Sequence, residues 1–505
     1  MRTKKALKNM LTTLLSHFTS MLIGFIVQAI FIRCLGTEYL GINGLFNNIF
    51  SMLAVVELGI GSAIIYNLYK PVALDDQEKI KSLINFYKKC YRVIAVIIFT
   101  LSILIIPFLN IIVGKTSLSN SMIIYIYLLF MIDIVCSYLL TYKRSILYAS
   151  QNNYIIDIIH IIYLIVLNFF QVLVLLTTKN YILYLIVKII MRLVENIAIT
   201  IYVNKKYVYL NETSQDLDQK TKSNIIKKVK GLFLHKLGVF FVGGTDNIII
   251  SAFLGVSVVG LYSNYNIVIT ALSTIINQIF SSFKSSIGNL LITKEEDYNY
   301  LVYKRMQFLN FWFAMMSSIG ILIVMESFIT VWIGEKYLLD NSVLITLAIC
   351  NYVYITKLCT SNFKEAAGIF YEDRFIPILE SIVNIVLSVI FVKLFGLMGV
   401  FLGTICCYLI THLYTYPCIV YKKVFNKNYI NYFKDNIKYL LFTITIGAFL
   451  YFLTSIIDVK GNLLNLLFNI FIVFVIPNIF IIICFNKTNE FNYYKEMIFK
   501  FIKGK

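Results

Sequence analysis

The sequence is poor in charged residues and in proline. Only 14% of its 505 residues are charged and only 5 are proline, whereas 59% are apolar. A soluble protein of this size exposes a largely polar surface, so the composition argues against a soluble globular protein. The 9 cysteines lie mostly inside apolar runs and form no CxxC pair. They are therefore interpreted as small apolar side chains rather than as metal ligands or disulfide partners.

Long apolar runs recur from one end of the chain to the other. The hydrocarbon core of a bilayer requires about 20 apolar residues in a spanning helix. The sequence therefore predicts an all-α integral membrane protein with about 14 transmembrane helices. The predicted spans are 11–32, 40–69, 92–113, 119–141, 154–178, 181–203, 233–254, 258–288, 306–333, 342–370, 375–395, 397–420, 437–457 and 463–485.

The positive charges alternate between the connecting segments. The formal net charge is +19, and most lysines and arginines lie in every second segment, for example 2–8, 70–92 and 205–236. Cytoplasmic loops of membrane proteins carry such an excess of lysine and arginine, and these side chains also contact anionic lipid headgroups. The pattern predicts a multi-pass protein of the cytoplasmic membrane with both termini in the cytoplasm, and it argues against nucleic acid as a partner.

The chain contains an internal repeat. Segments 35–47 (LGTEYLGINGLFN) and 254–266 (LGVSVVGLYSNYN) match at a constant offset of 219 residues. Six predicted spans separate equivalent points, so the two halves have the same orientation, as in one class of transporters. The predicted organisation is a six-helix bundle at 1–210, a cytoplasmic linker at 211–230, a second six-helix bundle at 231–425, and two additional helices with a basic cytoplasmic tail at 426–505.

Four loose motifs of small and apolar residues follow one another along the chain. They are ELGIG at 57–61, TDNIIISAFLG at 245–255, VGLYSNYN at 259–266 and FGLMGVFLGT at 395–404. In order and spacing they resemble the Wzx-type polysaccharide flippases, whose superfamily includes the MATE drug exporters and the lipid II flippase.

The resemblance implies two MATE-like six-helix bundles plus two C-terminal helices. It implies a substrate, an undecaprenyl-pyrophosphate-linked oligosaccharide, that moves from the inner to the outer leaflet by alternating access during capsule, O-antigen or exopolysaccharide synthesis. Membrane lipids, a polysaccharide polymerase and other assembly proteins are the partners it suggests.

Basic residues inside the predicted spans are candidates for binding the substrate. A charge at mid-bilayer costs several kcal/mol unless it faces a cavity or a partner. Arg192 lies near the middle of span 181–203, with Lys188 four residues earlier. We expect Arg192, Lys188, Lys357 and Lys236 to give a cavity a cationic lining that binds pyrophosphate. The guanidinium of Arg192 matches phosphate oxygens in two-point contacts. The alternative is that Arg192 pairs with Glu195 on the same helix face.

Acidic residues inside the spans allow two roles. Asp246, Asp133 and Glu57 are candidates either for binding a coupling H⁺ or Na⁺ or for acting as countercharges. Asp157 and His160 lie three residues apart, and we expect them to form a polar pair. No nucleotide-binding loop, metal cluster or nucleophile–base set is evident in the sequence. We therefore expect no cofactor and no enzymatic activity, and an ion gradient, the membrane potential or consumption of the product outside would drive transport.

Three other functions fit parts of the sequence. A MATE-like ion-coupled antiporter of small organic cations would have a more acidic, aromatic cavity and no need of two extra helices. A membrane enzyme of sugar assembly would need paired carboxylates or a large outer loop, and the sequence shows neither. A scaffold of polysaccharide assembly would not need buried cations such as Arg192 and Lys357.

Overall fold

The chain folds almost entirely into helices. The computed structural model describes residues 2–57, 60–212, 216–219, 221–223, 225–226, 244–369, 372–373, 375–457 and 459–502. About 89% of the structure is helical, and these ranges contain no β-strand. The prediction of an all-α protein is confirmed.

The helices divide into two compact units, Met1–Gly260 and Leu261–Lys505. The predicted linker at 211–230 and the predicted separate segment 426–505 stay predictions. The first unit contains α1 (Arg2–Leu53), α2 (Ile60–Ala73), α3 (Gln77–Ile105), α4 (Leu109–Val113), α5 (Asn120–Thr141), α6 (Arg144–Ala149), α7 (Asn153–Thr178), α8 (Tyr181–Lys206) and α9 (Asp246–Leu254).

The second unit begins inside a helix. α10 (Val256–Ser282) starts in the first unit and continues into the second. It is followed by α11 (Lys284–Thr293), α12 (Glu296–Trp332), α13 (Asn341–Ala366), α14 (Ile376–Phe395), α15 (Leu397–Ile410), α16 (Tyr416–Lys423), α17 (Ile430–Ile456), α18 (Asn462–Phe485) and α19 (Asn489–Ile502). A π-helical turn, Thr411–Thr415, joins α15 to α16.

Many of these helices match the thickness of a bilayer. Within the described residues, 10 helical segments are long and apolar enough to cross a membrane. The chain is therefore a multi-pass membrane protein. The predicted number of about 14 spans stays a prediction, since part of the predicted span 233–254 lies outside the described residues.

The helix ends near the N-terminus differ from the predicted spans. The structure joins span 11–32 to the first part of span 40–69 in α1, which has one non-helical residue, Gly36 (φ 84°), and ends at Leu53. A 3₁₀ turn, Ala54–Glu57, then precedes α2. α3 begins at Gln77 rather than at 92, where the Asp76 side chain accepts a hydrogen bond from the Lys79 N–H. The apolar run sets the length of a span, whereas the cap sets where the helix begins.

The repeated glycines form a reciprocal helix crossing within the first unit. A Cβ atom placed on Gly41 would lie 1.9 Å from the carbonyl oxygen of Val256, and one on Gly260 would lie 1.9 Å from that of Thr37. Thr37 and Val256, like Gly41 and Gly260, are related by the 219-residue repeat. Only glycine allows backbones to approach so closely. The repeated motif is therefore a packing motif of α1 against the start of α10.

Candidate functional site

Two basic residues of α8 share one carboxylate of α5. Lys188 and Arg192 are four residues apart, so they lie on the same face of α8. The Lys188 Nζ atom lies 3.2 Å from Asp133 Oδ2, and the Arg192 Nε atom lies 3.5 Å from Asp133 Oδ1. The Asp133 side chain is only 3% exposed. One buried carboxylate therefore faces two cations, one on each oxygen.

A second buried carboxylate lies further along α8. The Glu195 carboxylate lies 2.9 Å from His160 Nδ1 of α7 and 3.4 Å from Arg144 Nη2 of α6. Arg144 also donates a 2.8 Å hydrogen bond to the side-chain oxygen of Asn196. Arg192 therefore makes its ion pair with Asp133, on another helix, rather than with Glu195. Sequence reasoning missed Arg144, because its short helix follows α5 and no spacing relates it to Glu195.

These six residues form what we call the cation cluster. Its members are Asp133, Arg144, His160, Lys188, Arg192 and Glu195. With Lys188 protonated, three cations face two carboxylates, so the cluster carries one surplus positive charge even with His160 neutral. The carboxylate side chains are 1% and 3% exposed, whereas the three cations are 19% to 29% exposed. The positive groups are thus more exposed than the carboxylates with which they pair, and their surplus charge attracts anions.

Two aromatic rings pack against the cations of α8. The Lys188 ammonium lies 4.7 Å from the centre of the Phe130 ring, and the Arg192 guanidinium lies 5.8 Å from that of Tyr163. A cation over an aromatic face is stabilised by the ring quadrupole, most strongly where water is scarce. The rings therefore restrict where the two cations point. Nothing in the sequence pattern distinguishes them from the other aromatics of the spans.

Asp157 and His160 do not form the predicted polar pair. The Asp157 carboxylate accepts hydrogen bonds from the hydroxyls of Thr12, at 3.1 Å, and Thr13, at 2.7 Å. It ties α7 to α1, whereas His160 joins Glu195 in the cation cluster. The three-residue spacing placed both side chains on neighbouring parts of the helix surface, but the packing of α7 between α1 and α8 separates them.

The other two acidic candidates lie in different surroundings. Glu57 ends the 3₁₀ turn Ala54–Glu57 and accepts a hydrogen bond from the Tyr91 hydroxyl, which in turn accepts one of 2.8 Å from Tyr87. Asp246 lies in the first turn of α9, and its buried Oδ1 atom has no hydrogen-bond partner among the described residues. Ion coupling at Asp246, Asp133 or Glu57 stays a prediction.

The remaining basic candidates lie elsewhere in the chain. Lys357 belongs to α13 in the second unit, where its ammonium lies 4.7 Å from the ring centre of Tyr354 and 4.4 Å from that of Tyr408. Lys236 lies outside the described residues. The structure therefore brings Lys188 and Arg192 together around Asp133, and it gives Lys357 an aromatic environment of its own. Phosphate binding by these residues stays a prediction.

Fold and cluster together define the class of protein: a multi-pass helical membrane protein with buried charges in its first unit. Residues 6–283 match the family described as polysaccharide biosynthesis protein. The match spans more than half of the chain, and the protein belongs to this family. A comparison with curated proteins finds no match.

Several solved structures share the fold. The lipid II flippase MurJ in an inward closed conformation aligns with a TM-score of 0.68 and 18% identity, covering 94% of this chain and 99% of that chain. An inward-facing multidrug resistance MATE family transporter of the MOP superfamily aligns with a TM-score of 0.61 and 14% identity, covering 78% and 93%. The Vibrio cholerae MATE transporter VcmN in the bent form gives 0.54 and 14%, covering 84% and 98%. The MATE-like and MurJ-like fold predicted from the sequence is confirmed.

Proposed function

We propose that the protein is a flippase that moves an undecaprenyl-pyrophosphate-linked oligosaccharide from the inner to the outer leaflet of the cytoplasmic membrane. The transported unit would serve surface polysaccharide synthesis, as capsule, O-antigen or exopolysaccharide. The substrate enters the membrane protein as an anion with a sugar head and a prenyl tail. Both termini lie in the cytoplasm on this proposal, and a polymerase and other assembly proteins act on the product.

The observation that carries the proposal is the cation cluster. Charges of this kind are costly in a bilayer and are retained where they face a polar path or bind a polar ligand. The Arg192 guanidinium uses Nε toward Asp133, so its two terminal nitrogens take no part in that contact. They match a two-point contact with phosphate oxygens, with the Lys188 ammonium beside them as a second positive charge.

Family and fold support the same function from another direction. The chain belongs to a family described by polysaccharide biosynthesis, and its fold resembles that of a lipid II flippase over 94% of its length. Because MATE transporters share the fold as well, the fold alone leaves a small-molecule antiporter as the second candidate. The surplus positive charge of the cluster opposes binding of an organic cation at that place and favours an anionic substrate.

The transport cycle we propose is alternating access without an enzymatic step and without a cofactor. The pyrophosphate binds to Arg192 and Lys188, the sugars follow through the protein, and the prenyl tail remains in lipid. Lys357 and Lys236 are proposed to add positive charge for the same anion. A coupling H⁺ or Na⁺, if the cycle uses one, would bind at Asp246, Asp133 or Glu57.

The experiment is complementation of a host strain that lacks this gene and therefore lacks its surface polysaccharide. Arg192→Ala should abolish the polysaccharide while the amount of protein in the membrane stays unchanged. The fold should survive, since Asp133 keeps its 3.2 Å partner Lys188. Lys205→Ala is the matched control, because Lys205 is an exposed cation in the last turn of the same helix.

The outcomes separate clearly. Full polysaccharide with the control and none with Arg192→Ala supports the proposal, and Arg192→Lys should restore part of the signal because it keeps the charge but loses the planar fork. A normal amount of polysaccharide with Arg192→Ala would show that the cation cluster does not bind the substrate.

A further inference from the structure

A polar cavity lies at one end of the helices of the second unit. It has a volume of about 460 Å³, which is within the range of about 300–1,000 Å³ that small-molecule sites occupy. The end of α12, the end of α17 and the start of α18 enclose it. We call it the polar pocket; its lining includes Glu326, Ser327, Glu335, Tyr451, Asn465 and Asn469.

The chemistry of the pocket is that of hydrogen-bond acceptors and hydroxyl groups. Glu326 and Glu335 supply two carboxylates, and neither forms an ion pair with a basic side chain of the described residues. Among the described residues, no lysine or arginine lines the cavity. A pyrophosphate would therefore be repelled, whereas a ligand rich in O–H or N–H donors would find charged acceptors.

Asn469 forms part of the buried wall of the pocket. Its side chain is 5% exposed, and its Nδ2 atom donates a 2.8 Å hydrogen bond to the Ser327 hydroxyl. The other end of the carboxamide, Oδ1, is buried without a hydrogen-bond partner among the described residues. A buried acceptor left unpaired destabilises the folded protein. Because the Oδ1 atom is closed to solvent, Asn469 shapes the wall of the cavity together with Ser327, and its replacement would change that wall.

The shape and lining favour a sugar over a metal ion. The cavity is many times larger than the share of one water molecule, about 30 Å³, and the described residues contain no group of three His, Cys, Asp or Glu that could hold a metal ion. Tyr451 on α17 is 41% exposed. A tyrosine ring beside acceptors can cover the apolar face of a sugar while the acceptors take its hydroxyl groups.

The predicted orientation places the polar pocket on the outer side of the membrane. Segments 333–341 and 459–462, which flank it, belong to connecting segments with few basic residues and are therefore predicted to be non-cytoplasmic. We propose that the polar pocket binds one or two neutral or amino sugars of the transported oligosaccharide on that side. This inference rests on the proposed function, because transport is what delivers an oligosaccharide there.

The test uses the purified full-length protein and a soluble probe. The probe is the repeat-unit oligosaccharide released from its lipid carrier by mild acid, which removes prenyl chain and phosphate. Saturation-transfer NMR detects binding, and titration gives Kd. Glu326→Gln and Glu335→Gln should each weaken Kd about tenfold or more, because each removes a charge-assisted hydrogen bond. Glu496→Gln, an exposed carboxylate of α19 outside the pocket, is the matched control and should bind as the wild type does.

Asn469→Leu gives a second measurement that does not depend on charge. It should also weaken the binding of the probe, and gel filtration checks that the variant is folded. If Asn469→Leu does not fold, the test rests on Glu326→Gln and Glu335→Gln, because both carboxylates are exposed and their replacement should leave the fold intact.

Three results would overturn the inference. They are equal binding of the probe by wild type and both glutamine variants, no binding of the probe by a wild type that transports the lipid-linked substrate, and binding of Ca²⁺ but not of the probe through Glu326. Failure of the wild type to transport the lipid-linked oligosaccharide in proteoliposomes would instead contradict the proposed function, so the two failures are distinguished.

Discussion

Among the members of the cation cluster, we expect substitution of Asp133 to affect the stability of the fold most. It has Lys188 at 3.2 Å on one oxygen and Arg192 at 3.5 Å on the other. At an effective dielectric constant of about 20, each attraction amounts to about 5 kcal/mol, most of which is offset by the cost of removing the charges from water. Asp133→Asn keeps the size of the side chain but leaves two neighbouring cations without their shared countercharge.

The size of the loss follows from the burial of the partners. Removing one member of a buried ion pair costs about 3–5 kcal/mol of folding free energy. Because the side chains of Lys188 and Arg192 are 19% and 29% exposed, we expect the low end, about 3 kcal/mol. The expected result is a protein that loses its folded state at a clearly lower temperature than the wild type.

The assay is gel filtration of detergent-solubilised protein after heating at a series of temperatures. Asp216→Asn is the control, since its ion pair with Lys89 is exposed on both sides and should matter little. Adding Lys188→Met to Asp133→Asn should recover part of the loss, because one unpaired cation is removed. Two results would contradict the role of Asp133 in holding the two cations together. They are loss of the fold of Asp133→Asn at the same temperature as the wild type, and a further lowering of that temperature when Lys188→Met is added.

Two further predictions concern the crossing of α1 with α10 and the second unit. Gly260→Ala should destabilise the protein by about 1–3 kcal/mol, since its Cβ would lie 1.9 Å from the Thr37 carbonyl oxygen. Gly320→Ala is the control and should not destabilise the protein, because its Cβ would have nothing within 4 Å. Equal melting of the two variants in the heating assay would contradict the close crossing of α1 and α10. Lys357→Met should reduce surface polysaccharide in the complementation assay without lowering the amount of protein, because methionine still packs against Tyr354 and Tyr408 but carries no charge. An unchanged amount of surface polysaccharide would show that Lys357 does not take part in substrate binding.

Much of the helical framework could be predicted from the sequence, because apolar runs bounded by polar residues set the spans. The prediction of 342–370 corresponds to Asn341–Ala366, and that of 463–485 to Asn462–Phe485. Helix ends outside the apolar runs could not be predicted this way. α3 begins 15 residues before its predicted span, because its polar first turns are held by a cap rather than by hydrophobicity.

The cation cluster could be predicted only in part. The cost of a charge in the bilayer singled out Lys188, Arg192 and Asp133 as residues needing an explanation, and the structure brings these three side chains together. Spacing along one helix suggested Glu195 as the partner of Arg192, but the ion pair forms with Asp133, 59 residues earlier. A partner on another helix depends on the rotation and packing of both helices, and one sequence does not contain that information in a local pattern.

We propose that this protein moves a pyrophosphate-linked glycan across a bilayer by means of the cation cluster. The most direct test of that transport is reconstitution of the full-length protein in liposomes loaded with the undecaprenyl-pyrophosphate-linked oligosaccharide of the host. A membrane-impermeant reagent that reacts with the glycan reports how much has reached the accessible leaflet. We predict protein-dependent movement with the wild type and none with Arg192→Ala. Absence of movement with the folded wild type, or equal movement with Arg192→Ala, would contradict the account.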